Sequence, residues 1–202
     1  MHPRHIFAST LLLFLVVGNL EAKELKIGKK APEFTLTASD GKVHNLKDYR
    51  GKYVVLEWIN YDCPFVRKHY KSENMQTLQK RYTAKDVVWL SICSSAPGKQ
   101  GNFSNEVIAE RSAELGASHT AYLIDADGMV GKWYDAKTTP HMFVIDPEGR
   151  LVYMGGIDDI RSTDVKDIPK ATNYVAAALD ASMAGKKVAV TSSKPYGCGV
   201  KY

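Results

Sequence analysis

The fold of this chain is decided by residues 53–70, which read YVVLEWINYDCPFVRKHY. Apart from Glu57, the first seven residues are β-branched, aromatic or aliphatic, which is typical of a strand buried on both faces of a sheet. Pro64 suits the first turn of a helix, so the segment predicts a strand that passes directly into a helix. Cys63 stands at the junction of the two elements.

The position of Cys63 predicts a reactive thiol. The start of a helix presents unpaired N–H groups and the positive end of the helix dipole, which favour a thiolate over a thiol. The thiolate is the nucleophilic form, so Cys63 is the leading candidate for chemistry. The alternative is a buried and inert cysteine, the usual role of a lone cysteine in a protein core.

Residues 1–22 have the pattern of a secretory signal peptide. His2, Arg4 and His5 precede an apolar run at residues 6–18, and Ala22 supplies a small residue before a cleavage point. The run is shorter than the roughly 20 residues that span a bilayer, so no stable membrane insertion is expected after cleavage. The pattern predicts an exported protein, periplasmic or secreted. An uncleaved membrane anchor is the alternative.

The remaining chain is predicted to form one domain over residues 23–185, followed by a tail at residues 186–202 that carries Cys198. Hydrophobic residues make up 45% of the sequence, enough for one sizeable core, and no linker interrupts it. The net charge of +5 comes from lysines spread along the chain, so a nucleic-acid surface is not indicated. Three cysteines are too few for a disulfide scaffold.

The other elements follow from hydrophobic periodicity and turn residues. The second buried strand is separated from the first by a helix, so the two strands are predicted to be parallel. The expected elements, in order, are a hairpin at 27–46, a strand at 53–59, a helix at 64–82, a strand at 87–93, a helix at 105–115, a strand at 121–125, a helix at 129–134, a hairpin at 138–156 and a helix at 170–184.

This order of elements, with Cys63-Pro64 at the first core helix and Thr139-Pro140 before the third core strand, resembles the thioredoxin superfamily over about residues 27–185. The segments APEF at 31–34 and VIDPEG at 144–149 are similar to the redoxin branch, the alkyl hydroperoxide reductase and thiol-specific antioxidant group. A lone Cys-Pro with a Gly-Cys tail resembles a peroxiredoxin-like group within it. The resemblance implies a thioredoxin-like three-layer α/β fold, with a central mixed sheet, flanking helices and an N-terminal β-hairpin.

The departures from the family pattern define the expected site. Thioredoxins carry a second cysteine where this chain has Val66, and peroxiredoxins carry a Thr or Ser and an Arg where it has Asn60 and Pro140. Pro140 matches the cis-proline of thioredoxins, which presents backbone to a thiol or peptide substrate. The resemblance therefore implies that Pro64, Thr139 and Pro140 bind substrate.

The resemblance implies an exported thiol–disulfide oxidoreductase or a redoxin-type antioxidant protein, with Cys63 as the nucleophile. Its partners would be a thiol or disulfide substrate, either a protein or a small thiol, and an electron donor that the sequence does not identify. Glu57 matches a buried carboxylate that moves protons in thioredoxins; the alternative is a solvated Glu57 at a sheet edge. Cys198 is the expected resolving thiol, the alternatives being a free tail cysteine or one paired between chains.

Two further functions remain open from the sequence. A non-catalytic binding module or copper carrier would use His69 and His141 with Cys63, since thiolate and imidazole suit copper or zinc. Copper-delivery relatives have a second nearby cysteine that this chain lacks, so neither a metal nor any other cofactor is expected. A peroxidase is the other alternative. Cys93, at the end of a buried strand, is expected to be a core thiol.

Overall fold

The structure, a computed structural model, describes residues 25–202. The predicted signal peptide therefore lies outside the described residues. The strands are β1 (Thr35–Ala38), β2 (Val43–Asn45), β3 (Val54–Trp58), β4 (Val88–Cys93), β5 (Ala121–Ile124), β6 (Thr138–Thr139), β7 (His141–Ile145), β8 (Leu151–Gly155) and β9 (Cys198–Gly199). The α-helices are α1 (Pro64–Lys71), α2 (Asn74–Thr83), α3 (Asn105–Glu114), α4 (Met129–Trp133) and α5 (Tyr174–Met183).

Seven strands form one mixed sheet in the order β2-β1-β5-β4-β3-β7-β8. The central strands β3, β4 and β5 are parallel to one another, whereas β7 runs antiparallel to β3 and pairs with β8 as a hairpin. The predicted parallel pairing of the first two core strands is therefore confirmed, and so is the N-terminal hairpin of β1 and β2. β6 and β9 form a separate two-stranded sheet.

The core has two parts, one on each face of the sheet, because successive strand residues point to opposite sides. One part joins Val55 and Trp89 to residues of α1, α2 and α5, while the other joins Leu56 and Trp58 to residues of α4 and the N-terminal segment. Every residue of β3 and β4 is buried, as the apolar composition of the opening segment predicts. The mixed sheet with helices on its faces confirms the predicted fold class.

Two predicted helices have different bounds in the structure. The single helix expected at 64–82 is two helices, because Glu73 adopts a left-handed conformation with φ of 57° between Lys71 and Asn74. The last helix begins at Tyr174 rather than at residue 170. Its preceding residue, Asn173, accepts a hydrogen bond from the N–H of Ala176 at 2.8 Å and so caps the helix there.

The tail at residues 186–202 runs back over the domain. Its N-terminal part lies along β8, where the N–H of Ser193 donates to the carbonyl of Met154 at 3.1 Å and the N–H of Met154 donates to the carbonyl of Thr191 at 3.1 Å. Its C-terminal part brings β9 against β6. The division of the chain at residue 185 stays a prediction. Over residues 25–202, no helix is long and apolar enough to cross a membrane.

Candidate active site

Cys63 lies at the start of α1, where the end of β3 is followed by a tight turn. The Cys63 N–H donates to the carbonyl of Asn60 at 2.9 Å, and the Asn60 side-chain oxygen accepts from the N–H of Asp62 at 2.9 Å. Pro64 occupies the first turn of the helix, and Cys63 is its N-cap. The Cys63 side chain is completely buried, at 0% exposure.

Hydrogen bonds favour the thiolate of Cys63 despite this burial. Burial alone would raise the pKa of Cys63, but its neighbours more than offset that effect and lower the pKa below its ordinary value. The groups that lower it are the thiol and backbone of Cys198, the side chain of Thr139 and the backbone of Val66. When Cys63 is protonated, its thiol donates to the carbonyl of Thr139 at 3.0 Å.

Cys198 has the opposite shift. Burial, its hydrogen bond to Cys63 and the negative charge on Cys63 all raise the pKa of the Cys198 thiol. Within the pair, Cys63 is therefore the thiol that ionises first, and Cys198 is the thiol that donates to it. All three cysteines are free. Cys93 lies apart from the pair and donates to the carbonyl of Gly101 at 3.3 Å, which agrees with a core thiol.

The segment Thr139-Pro140 lies against Cys63. Its peptide bond is cis, as the resemblance implies. Thr139 is buried, and among residues 25–202 its hydroxyl has no hydrogen-bond partner of normal geometry. That hydroxyl nevertheless lies near enough to lower the pKa of Cys63. The structure thus brings Cys63, Thr139 and Cys198 together, whereas Pro64 is exposed at the helix start.

The tail is anchored beside the thiols by Tyr196. This ring is buried, its hydroxyl donates to Asp158, and the same hydroxyl contacts Nε2 of His69 at 3.3 Å. Phe65 packs edge-on against the ring, with 5.8 Å between the centroids. Burial lowers the pKa of His69 to about 3, so its ring is neutral at pH 7.

A second anchor holds the end of the tail. The Tyr202 hydroxyl donates to the carbonyl of Ala136 at 2.8 Å, and the N–H of Ala96 donates to the carbonyl of Lys201 at 2.8 Å. The tail is therefore fixed on both sides of Cys198.

Glu57 lies in a separate polar cluster inside the core. Its carboxylate accepts hydrogen bonds from Trp89 at 2.8 Å, Ser91 at 3.2 Å, Gln79 at 3.2 Å and Tyr70 at 3.3 Å. Burial raises the pKa of Glu57 to about 7, although these hydrogen bonds act in the opposite direction. Glu57 is therefore buried rather than solvated at a sheet edge, and its four partners do not include Cys63.

A metal site is not formed from the residues that the sequence suggested. Both ring nitrogens of His69 face Tyr196 and Asn74. The ring of His141 packs against Phe143, with 4.5 Å between the centroids and 44° between the ring planes. Within the part of the chain that the structure describes, no three His, Cys, Asp or Glu side chains are gathered as a metal-binding group.

Sequence reasoning missed the residues that position the tail. Tyr196 and Asp158 were not among the predicted site residues, and His69 was assigned to the metal alternative. The only sequence signal for Tyr196 is its position two residues before Cys198. Asp158 carries no such signal, because its partner lies 38 residues away in the chain.

A mixed sheet, flanking helices and a cysteine at the start of a helix, facing a cis-proline segment, define the thioredoxin-like class of proteins. Within that class, residues 27–154 match the AhpC/TSA family, and the chain belongs to it.

The chain is similar to proteins named as thiol-disulfide oxidoreductases, to a peroxiredoxin, and to an uncharacterized protein of known structure. Thiol-disulfide oxidoreductase ResA of Bacillus thuringiensis is 25% identical over 130 residues, which cover 64% of this chain and 69% of that protein. Peroxiredoxin Bcp of Bacillus subtilis is 26% identical over 170 residues, covering 77% and 93%. The crystal structure of an uncharacterized conserved protein from Geobacillus kaustophilus is 32% identical with a TM-score of 0.75, covering 89% and 94%.

Proposed function

We propose that this protein is an exported thiol–disulfide oxidoreductase in which Cys63 is the nucleophile and Cys198 the resolving thiol. The observation that carries the proposal is the contact between the two thiols, which lowers the pKa of Cys63 and raises that of Cys198. The thiol with the lower pKa ionises first, so Cys63 attacks first and Cys198 second. The similarity to ResA supports the same reaction class.

The reaction proceeds by two thiol–disulfide exchanges. The Cys63 thiolate attacks one sulfur of the substrate disulfide, whose S–S bond breaks, and the leaving sulfur takes up a proton. Cys198 then loses its proton and attacks the sulfur of Cys63, which releases the second substrate sulfur as a thiol. The substrate gains two electrons, and a Cys63–Cys198 disulfide remains. An external dithiol must reduce this disulfide before the next cycle.

The contacts of Cys198 support this order. Its pKa is raised partly by the hydrogen bond to Cys63 and by the charge on Cys63. Both causes vanish once the sulfur of Cys63 is bonded to substrate, so Cys198 becomes easier to ionise at the step that requires it. The protein thereby keeps Cys198 inactive until the mixed disulfide has formed.

Glu57 is the proposed proton-exchanging acid. A carboxyl with a pKa of about 7 gains and loses a proton readily at neutral pH. It accepts from Tyr70 of α1, the helix that Cys63 caps. Ser91 connects it in the other direction to Nδ1 of half-buried His119, at 3.3 Å, which gives the buried acid a polar path towards the surface.

The deciding experiment follows thiol release from a small aromatic disulfide with each cysteine replaced in turn. Without added reductant, we expect the parent to release two thiols per protein, Cys63→Ser to release none, and Cys198→Ser to release one and to remain as a stable mixed disulfide. Cys93→Ser is the matched control and should keep the parent rate, because Cys93 lies apart from the thiol pair and its thiol donates to the carbonyl of Gly101. Parent-like thiol release by Cys63→Ser would refute the proposal.

Export is proposed from residues 1–22, whose charged start, apolar run and small residue fit a cleaved signal peptide. N-terminal sequencing of the chain recovered from outside the cytoplasm should begin at Lys23. A chain that stays in the cytoplasm with Met1 intact would contradict this part of the proposal.

Peroxide reduction is the second candidate, and the similarity to peroxiredoxin Bcp favours it. Peroxide would convert the Cys63 thiolate to a sulfenic acid, and Cys198 would condense with it and release water. Asn60 and Pro140 replace the Thr or Ser and the Arg that peroxiredoxins carry at the corresponding positions. We therefore expect disulfide exchange to be faster than peroxide reduction. The peroxidase reaction is tested by trapping the sulfenic acid at Cys63 under sub-stoichiometric peroxide and comparing its rate of formation with the rate of disulfide exchange.

A further inference from the structure

The end of the chain occupies the surface that a substrate must reach. Cys63 is fully buried, and the thiol of Cys198 lies in contact with it. Thr139 pairs with Cys198, and Thr138 pairs with Gly199, as an antiparallel two-stranded sheet. The pairing continues to the N–H of Val200, which donates to the carbonyl of Lys137 at 3.2 Å. A substrate sulfur therefore cannot touch Cys63 until this segment moves.

We propose that residues 196–202 fill, from within the chain, the binding edge for an extended, cysteine-containing polypeptide, and that a protein substrate binds by displacing them. The inference rests on the proposed function and names its substrate class. The bound tail is itself an extended segment with a cysteine opposite Cys63, so it has the shape that the edge accepts. Recognition through backbone pairing of this kind favours a peptide over a small disulfide.

The backbone contact makes the position before the cysteine selective. Gly197 has a φ of 143°, and a Cβ built on it would lie 2.1 Å from the carbonyl oxygen of Thr139. A residue with a side chain cannot approach the edge this closely without shifting the strand. Gly199 has open space around the equivalent position. The edge therefore selects glycine before the substrate cysteine and tolerates other residues after it.

The second position before the cysteine has a pocket for an aromatic ring. Tyr196 fits between Phe65 and His69, and its hydroxyl reaches the buried carboxylate of Asp158. Lys68, also buried, lies with its Nζ 6.0 Å from the centre of the ring. A substrate with tyrosine at this position would replace every contact that the departing tail loses, so the preferred segment is Tyr-Gly-Cys.

The test compares Gly197→Ala with Gly199→Ala in the full-length chain. The rate of Cys63 alkylation is followed by peptide mapping from about pH 4 to about pH 10, so that the midpoint reports the pKa and the plateau reports access. Gly197→Ala should raise the plateau roughly tenfold by opening the edge, whereas Gly199→Ala should leave it unchanged. Equal plateaus in a folded Gly197→Ala protein would overturn the inference.

A second pair of variants serves if Gly197→Ala does not fold. Tyr202→Phe and Tyr134→Phe each remove one hydroxyl that donates to a backbone carbonyl, at 2.8 Å and 2.7 Å, but only Tyr202 belongs to the tail. Tyr202→Phe should raise the alkylation plateau and Tyr134→Phe should not. Equal plateaus here would also count against the inference.

The substrate preference is tested with the parent protein and synthetic peptides. The peptide KPYGCGVKY, its cysteine activated as a mixed disulfide with thionitrobenzoate, should react faster than versions with alanine in place of the tyrosine or of the first glycine. Alanine after the cysteine should have no effect. Equal rates for all four peptides would overturn the preference. If alkylation follows the expected pattern but no peptide reacts, the proposed function fails while the covering role of the tail stands.

Discussion

Thr139 and Cys198 face each other across a two-stranded antiparallel sheet, and the carbonyl of Thr139 also accepts the thiol of Cys63 at 3.0 Å. The short strand β6 therefore contacts both cysteines through Thr139. Because Thr139 is fixed by the pairing, a displacement of the tail alters the surroundings of Cys63 and Cys198 together. The redox chemistry and the position of the tail are coupled through this residue.

Oxidised protein should contain a Cys63–Cys198 disulfide. Peptide mapping of non-reduced protein should recover this pair, with Cys93 unpaired. The bond closes a loop of more than about 100 residues, and the chain-entropy treatment gives an upper stabilisation of about 4–5 kcal/mol, measurable as the difference in urea unfolding between oxidised and reduced protein. Recovery of Cys63 bound to Cys93, or of Cys198 bound only between chains, would exclude a resolving role.

Thr139→Val should raise the pKa of Cys63, because it removes a hydroxyl that stabilises the thiolate. Thr139→Ser should restore most of the shift. Thr138→Val is the matched control, since the Thr138 hydroxyl donates to the carbonyl of Pro140 at 3.0 Å instead. The pH dependence of Cys63 alkylation gives the pKa of each variant. An unchanged midpoint in Thr139→Val would mean that the hydroxyl does not act on the thiolate.

Glu57→Gln should slow thiol exchange and remove a pH dependence of stability. The folded pKa of Glu57 is about 7 and the ordinary value is 4.5, so between these values the folded state binds the extra proton. This contribution of Glu57 to the stability therefore falls as pH rises through the window, by up to about 3 kcal/mol. Gln at this position cannot titrate, so the parent should lose this amount relative to Glu57→Gln across the window, whereas the titration of other buried groups, such as His69, is common to both proteins. Urea unfolding from about pH 4 to about pH 8 distinguishes the two proteins, and parallel curves would contradict the assignment.

Tyr196→Phe should cost more stability than Tyr202→Phe. The Tyr196 hydroxyl donates to the buried carboxylate of Asp158, and its loss leaves that group without its closest donor, which costs about 1–3 kcal/mol. The Tyr202 hydroxyl donates to a backbone carbonyl in a half-exposed setting and should matter less. Thermal unfolding of the two variants makes the comparison. A larger loss in Tyr202→Phe would show that Tyr196 is not the main anchor.

Local patterns in the sequence predicted the central strands and the cysteine-bearing helix, and the resemblance of their order to the thioredoxin superfamily gave the fold class. Residues 53–70 predict the central strand and the cysteine at the helix start because burial periodicity and proline chemistry act over a few residues. Hydrophobic periodicity gave the wrong helix bounds at two places where the conformation or the side chain of a single residue ends or starts a helix. The left-handed Glu73 divides one predicted helix, and the capping side chain of Asn173 delays another.

The sequence by itself determined the class of fold, the location of Cys63 and the presence of a second thiol in the tail. Tertiary structure alone decided how those groups behave. The pKa of Glu57 depends on burial and on partners from α1, α2 and β4, and the contact of Cys63 with Cys198 depends on where the tail lands. Desolvation and hydrogen bonding act through space, so residues distant in the chain set the chemistry of the site.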